Sequence, residues 1–467
     1  MDEFKGERGV GPRQCDMREK KTLDMCEGPL LGSVLRFSLP LMATGVLSQL
    51  YNSMDSVVVG RCAGGSALAA VGATTTLCWL ITETILGLSV GTSVRVANAF
   101  GAGRVDEVSD TVHTSILLGL ILGVLAAIVG FFGSHTFLGW MNTPEDIIGQ
   151  STAYMRIYFL GLPAAAVYMF ASAALRATGE TRYPLFVLIV SGVVNVALNF
   201  VSVAALGMGV RGVAWATVVS QVLSVVMLLA YMRRLPGGVR VRLKALRIDR
   251  SELGQLLRIG VPAALQSALF SISNVVIQSG VNSFGSAAVA GNSAASNIES
   301  MVYLIVDSLG QAATIFAGQN MGAKKYARLP KVLHACLILS TLLMAAAGVL
   351  CCLLREPLVR IFATESDVVR FGAERLFIQL STYTLVGVMC VVSGLIRGMG
   401  YSILPTVVSL LGVCALRVAW MYTAFAWKPT FVVLMLCYPF TWLVTSAAHM
   451  ICYFIVKRRM PVEGCCA

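Results

Sequence analysis

Long uncharged runs separated by short connectors set the pattern of this chain, and Ser115 to Gly133 and Thr430 to Val456 are two of them. A helix needs roughly 20 consecutive apolar residues to cross the hydrocarbon of a bilayer. Twelve segments meet that requirement, at 34–59, 68–97, 111–133, 151–175, 184–206, 210–232, 256–282, 286–318, 331–354, 369–396, 403–425 and 431–456, each boundary good to about four residues. The pattern predicts an all-α polytopic membrane protein with twelve transmembrane helices.

Composition agrees. Of 467 residues 57% are apolar and 13% are Asp, Glu, Lys or Arg, with a mean hydropathy of +0.77. Soluble domains carry roughly 25% charged residues, and disorder requires low hydrophobicity, so both classes are excluded. The formal charge of +12 would suggest nucleic acid in a soluble protein. Its distribution points elsewhere, because Lys and Arg gather in the connectors, where they hold a loop on the cytoplasmic side. The N-terminal tail, the even-numbered connectors and the C-terminal end carry 26 of the 36 Lys and Arg, against six on the other side. Both termini are therefore expected in the cytoplasm, and no nucleic-acid partner is expected. The first apolar run is too long for the core of a signal peptide, so residues 1–32 read as a retained tail. Thirteen cysteines, mostly inside apolar runs and without a CxxC pair, read as small buried hydrophobes.

The sequence also repeats. Leu35, Arg36 and Pro40 match Leu257, Arg258 and Pro262 at a displacement of 222, and Gly101/Gly322, His113/His334, Thr143/Thr364, Arg176/Arg397, Gly179/Gly400 and Pro184/Pro405 match at 221. Six is an even number of spans, so both halves enter the membrane in the same orientation. This predicts two six-helix bundles, 33–234 and 256–457, related by a pseudo-two-fold axis along the membrane normal with a cavity between them. A basic linker, 235–255, joins them, and a tail, 458–467, follows.

Four acids fall well inside spans: Asp55, Glu83, Glu299 and Asp307. Each costs roughly 2.5–3.5 kcal/mol at a helix centre on insertion scales, so each needs a cavity or a partner. Ser48, Tyr51, Asn52 and Asp55 recur at spacings of three and four and share one face of the first helix, with Gln49 beside them. Burial penalises the charged form of a carboxylate, so such a group can exchange a proton for a cation. The fifth run places Asn195 and Asn199 one turn apart. The seventh carries a neutral stripe of Ser267, Ser271, Asn274, Gln278 and Asn282, and the eighth carries Asn292, Ser296, Glu299, Tyr303 and Asp307. Together they describe a polar vestibule, with Met169, Phe170, Tyr158 and Tyr303 as the adaptable lining of a promiscuous site. The plainer alternatives are a structural hydrogen bond or ion pair for each acid, helix-to-helix bonding for the amides, and Arg417 as the neutraliser of one acid.

Two patterns carry no chemistry. GLSVG at Gly87–Gly91 fits a nucleophile elbow, but that motif needs a strand before it, so small-residue helix packing is the better reading. His113 and His334 stand at helix starts, where a structural role is expected. No P-loop or HExxH is present, which leaves transport driven by ATP on this chain unsupported.

The stretch LRFSLPLMATGVLSQLYNSMDSVVVGR, with ALAAVGATTTL, GLSVGTS and AFGAGR, resembles the first two helices of the multidrug and toxic compound extrusion (MATE) transporters. LRATGETRYPLFVLIVSGVVNVALNF is similar to their fourth and fifth helices, and GQNMGAKKYAR and GLIRGMGYSILP to the second-half signatures. The resemblance covers roughly residues 24–457 and is nearest the DinF-like branch. It implies a monomeric antiporter of a bacterial inner membrane, not an enzyme, that exports amphiphilic, often cationic small molecules by alternating access. It needs no cofactor or metal beyond a proton or sodium gradient.

It further implies that Asp55, in the YNxxD pattern, is the ion-coupling carboxylate, with Asn52, Asn195 and Asn199 in support. Some members place a second carboxylate where this chain has Asn199, which puts a two-acid site in doubt. Sodium-coupled relatives use acids on the seventh and tenth helices; here the seventh run has none, and Glu374 lies near the end of the tenth beside Arg375. Proton coupling is therefore preferred, although a carboxylate with neutral oxygens can also hold a hard cation. Gln49, Tyr51, Asn274, Gln278, Glu299, Tyr303 and Asp307 are the substrate-binding candidates. The rival functions are a flippase for lipid-linked saccharides, which would favour a basic cavity, and an intramembrane enzyme, for which no catalytic pair stands out.

Overall fold

The structure is a computed structural model that describes residues 25–460. Most of the two expected tails, 1–32 and 458–467, lies outside them. Among the described residues eleven helices are long and apolar enough to cross a membrane, and a bent pair completes a twelfth span. The first half comprises α1 (Leu30–Cys62), α2 (Gly65–Gly101), α3 (Val105–Trp140), α4 (Glu145–Ala177), α5 (Arg182–Ala205) and α6 (Gly209–Arg234). The second comprises α7 (Arg250–Asn282), α8 (Ser286–Gly322), α9 (Tyr326–Leu353), α10 in two pieces (Ser366–Leu380 and Thr384–Gly398), α11 (Ile403–Phe425) and α12 (Phe431–Arg458).

Local chemistry places the ends. Between α1 and α2 the chain reverses at Gly64 with φ 90°, and between α7 and α8 at Gly285 with φ 87°, a backbone region open mainly to glycine. The Asp249 carboxylate accepts the Glu252 N–H at 2.9 Å and caps α7. Helices overrun their apolar cores: α3 opens on Asp106 and Glu107, acids favoured at the positive end of the helix dipole. Exposed Phe132 and Val129 on α3 and Leu342, Val349 and Leu353 on α9 are the surface that lipid covers.

Two expectations need correction. The tenth span, expected as one helix over 369–396, bends by 49° between Leu380 and Thr384. The break is stabilised locally, because the Ser381 and Thr382 hydroxyls donate back to the carbonyls of Ile378 and Gln379, and the ring of Tyr383 is buried. The linker 235–255 is in part folded structure. Val239 and Val241 are buried, Arg242 N–H donates to His113 Nε2 at 3.0 Å, and α7 begins inside the linker at Arg250.

The core shows how the halves meet. At the end that carries most of the Lys and Arg, hereafter the basic end, one apolar cluster mixes Phe37, Val96 and Val112 with Leu309, Phe316 and Leu395. Toward the opposite end the clusters separate into Val58, Ala67, Ile147 and Val203 in one half and Ile277, Val281, Ala288 and Phe431 in the other. Among the described residues every hydrogen bond, ion pair and ring contact between the halves lies near the basic end, including Phe37–Phe316 and Gln319 Nε2 to Ala177 O at 2.7 Å. The result is a cleft closed at the basic end and open at the other.

The repeat pair Gly101 and Gly322 sits at that closure. A Cβ on Gly101 would strike the carbonyl of Gln319, and one on Gly322 would strike the carbonyl of Asn98. This reciprocity places the α2–α8 crossing on the pseudo-two-fold axis. Beside it, Arg95 of α2 donates to Glu252 of α7 through Nε at 2.8 Å and Nη2 at 2.7 Å, and Thr111 Oγ1 donates to the same carboxylate at 2.7 Å. Gly101→Leu is expected to cost about 1–3 kcal/mol through overpacking, read as a lower thermal midpoint of the purified protein. An unchanged midpoint would show that the crossing tolerates a side chain.

Candidate ion and substrate site

In the first half α1 and α5 bring one acid and two amides together. Asn199 Nδ2 donates to Asp55 Oδ1 at 2.5 Å and to Asn195 Oδ1 at 3.2 Å. Asn199 is fully buried and Asn195 nearly so. Its own Oδ1 is buried without a protein donor, an acceptor left over for an O–H or a cation. No basic side chain pairs with Asp55 among the described residues. The helix supports this arrangement: α5 is α-helical through Asn199 and opens into a π-helical segment over Phe200–Ala205, a widening often found at functional sites. Tyr51 fixes α1 against α5. Its ring lies where a Cβ on Gly192 would be, and its hydroxyl donates to Ile189 O at 3.4 Å. Asn52 is exposed and its side chain bonds to nothing among the described residues, while Gln49 is half-buried.

In the second half the amides are tied together. Asn292 Nδ2 donates to Gln278 Oε1 at 2.9 Å, and Gln278 Nε2 to Asn282 Oδ1 at 2.9 Å. Arg375 organises this group. Its Nη2 donates to Glu299 Oε2 at 2.6 Å, its Nη1 to Asn292 O and Oδ1 at 2.6 and 2.7 Å and to Ser296 Oγ, and its Nε to Gln379 Oε1 at 3.0 Å. Tyr383 donates to the other oxygen of Glu299 at 3.4 Å, so the bend in α10 delivers a ligand to this pair. Glu299 thus has both oxygens engaged, and the residue that neutralises it is Arg375 rather than Arg417. Arg417 instead donates from Nη1 to Asn274 Oδ1 at 2.8 Å and lies 4.4 Å over the ring of Tyr438.

A third group lies between the halves. Glu83 of α2 and Asp307 of α8 are within electrostatic reach of each other, and Asp307 also of the repeat pair Arg176 and Arg397. Gln311 Nε2 donates to Asp307 Oδ2 at 2.6 Å. Tyr303 is exposed one turn earlier. The expected aromatic lining is only partly realised, because Phe170 is fully buried in the α3–α4 contact and Tyr158 stacks on Tyr154 and meets Thr82 at 3.3 Å.

Arg95 escaped the sequence reading, and Arg375 entered it only as the neighbour of Glu374. Arg95 is the one arginine of the run 68–97, and Arg375 shares the run 369–396 with Arg370 and Glu374; a basic residue inside an apolar run was the available signal. What it lacked was the partner, which sits on a helix remote in sequence.

Two bundles of six, closed at one end and lined by amides around an unpaired acid, define a membrane transporter. The chain belongs to the MatE family, whose model matches residues 40–201 and 262–423, one segment in each half. It is 32% identical to the Bacillus subtilis probable multidrug resistance protein YoeA over 83% of this chain and 85% of that one. It is 24% identical to the Thermotoga maritima probable multidrug resistance protein NorM over 82% and 83%. Its fold matches an outward-facing MATE family transporter of the MOP superfamily with a TM-score of 0.87 at 20% identity, covering 94% of this chain and 98% of the other.

Removing one partner of a buried pair leaves the other charge stranded, at about 3–5 kcal/mol. Arg375→Gln is therefore expected to lower the thermal midpoint of the purified protein sharply, and adding Glu299→Gln should recover part of the loss. A single variant that melts like the wild type would show that the pair contributes nothing to stability.

Proposed function

We propose that this protein is a secondary antiporter that exports amphiphilic, often cationic small molecules in exchange for protons. The observation that carries this reading is Asp55, an acid in mid-span with neutral hydrogen-bond partners and no paired cation. A carboxylate so placed can hold either a proton or a cationic substrate, and the competition between the two supplies the coupling. The names of the relatives, multidrug resistance proteins, support the substrate class. The excess of Lys and Arg at the basic end supports a cytoplasmic position for that end and for both termini, in the inner membrane of a bacterium. The open cleft then faces outward. Asn195 and Asn199 act as positioning residues for Asp55, and sodium is the alternative coupling ion.

Export follows when proton and substrate favour different states. A proton on Asp55 in the outward-open cleft weakens its hold on a cation, and the unloaded substrate leaves to the outside. The protonated protein returns to an inward-open state, which requires the α2–α8 crossing and the Arg95–Glu252 pair to part. Coupling needs only this difference in affinity between states.

In proteoliposomes with an imposed pH gradient, Asp55→Asn is expected to abolish uphill movement of ethidium while leaving the folded protein's melting behaviour close to wild type. Full gradient-driven transport by this variant would remove Asp55 from the mechanism. A sodium gradient run in parallel identifies the coupling ion.

A further inference from the structure

Arg417 has no part in the antiport cycle above, and its surroundings set it apart from the other buried arginine of the second half. Both side chains are about equally buried, with residue exposures of 5% each. Arg375 uses all three of its nitrogens in hydrogen bonds and faces a carboxylate. Arg417 is paired with no carboxylate among the described residues. Its Nη1 is bound to Asn274, its Nε is buried with no partner, and its Nη2 has no hydrogen bond among the described residues. The Nε–Nη2 edge is one of the two that grip a carboxylate with parallel hydrogen bonds, and here it is free.

The position is one that a transported molecule can reach. Asn274 belongs to the α7 stripe of Ser267, Ser271, Gln278 and Asn282 and is itself exposed. The Arg417 guanidinium is thus bound to a residue that a ligand can touch. The backbone of α11 is widened on both sides of Arg417, with π-helical segments at Leu410–Ala415 and Met421–Phe425 flanking a short α-helical piece. The repeat sharpens the contrast. On the first and seventh helices, at the displacement of 222, Asn52 corresponds to Asn274 and Asp55 to Ile277; on the fifth and eleventh, at the displacement of 221 set by Pro184 and Pro405, Arg417 corresponds to Val196, next to Asn195. The first half presents an unpaired acid to the cleft, and the matching region of the second half presents an unpaired base. A guanidinium held in mid-membrane without a counter-ion is costly, and a carboxylate on the cargo removes that cost.

We propose that Arg417 is the docking point for a carboxylate of the transported molecule, so that the cargo includes zwitterionic amphiphiles as well as cations. The Nε–Nη2 edge takes the two carboxylate oxygens, Asn274 holds the guanidinium from the other side, and the Tyr438 ring supports its face. This rests on the antiporter reading for the word cargo, but the binding itself is tested without transport.

The probe is Nε-dansyl-lysine, which has a free carboxylate, set against its methyl ester, which does not. Binding to the purified full chain is followed by dansyl fluorescence. The wild type is expected to prefer the acid, and Arg417→Gln to weaken the acid by about tenfold or more, as the loss of charged hydrogen bonds predicts, while the ester changes less than about twofold on the same scale. Arg417→Lys, which keeps the charge and loses the fork, is expected to fall between them. No preference for the acid in the wild type overturns the proposal. So does an equal loss of acid and ester in a variant that still melts cooperatively, since that is the mark of a structural role. Ethidium transport measured on the same preparations separates the two readings: transport without acid preference removes only this inference, and acid preference without transport removes only the antiport.

Discussion

A charge in hydrocarbon needs a partner, and the way this chain meets that demand organises the molecule. Arg95 is matched by Glu252, and Arg375 by Glu299, in bonds of 2.6–2.8 Å that tie distant helices together. Those pairs belong to the architecture. Asp55 and Arg417 are treated differently: each has amide partners and, among the described residues, no opposing charge. In a medium that penalises uncompensated charge, these two open charges are the ones that the proposed transport cycle and docking step draw on.

Closure at one end follows from small residues as much as from charge. Gly101 and Gly322 let α2 and α8 touch backbone to backbone, and Gly91 and Gly260 do the same for α2 and α7. These backbone contacts lie within the apolar cluster that the two halves share at the basic end. The Arg95–Glu252 pair lies among them and adds a specific bond that must break when the basic end opens. An inward-open state requires this interface and the shared apolar cluster to part together.

The repeat gives the two halves one architecture and lets their chemistry diverge. The displacement of 222 that aligns Asn52 with Asn274 sets Ile277 against Asp55, and the displacement of 221 that aligns Pro184 with Pro405 sets Arg417 against Val196, next to Asn195. Helices α5 and α11 both abandon α-helical geometry near these positions, so the backbone device is shared where the side chains are not. Glu299, which on α2 is matched at the displacement of 221 by Cys78, completes a polar network in the second half only.

Hydropathy, loop charge and the repeat determined the span count, the two bundles and their parallel insertion, because each depends on composition and order along the chain. The face of α1 that carries Asp55, and the one-turn spacing of Asn195 and Asn199, were also legible, since helical periodicity is local. The bend in α10 was not, because an apolar run reports that a segment is buried and says nothing of its direction. Nor were the pairings. Arg375 meets Glu299 across 76 residues and Arg95 meets Glu252 across 157, and only the packing of helices onto one another decides which charges are neutralised and which remain free to act.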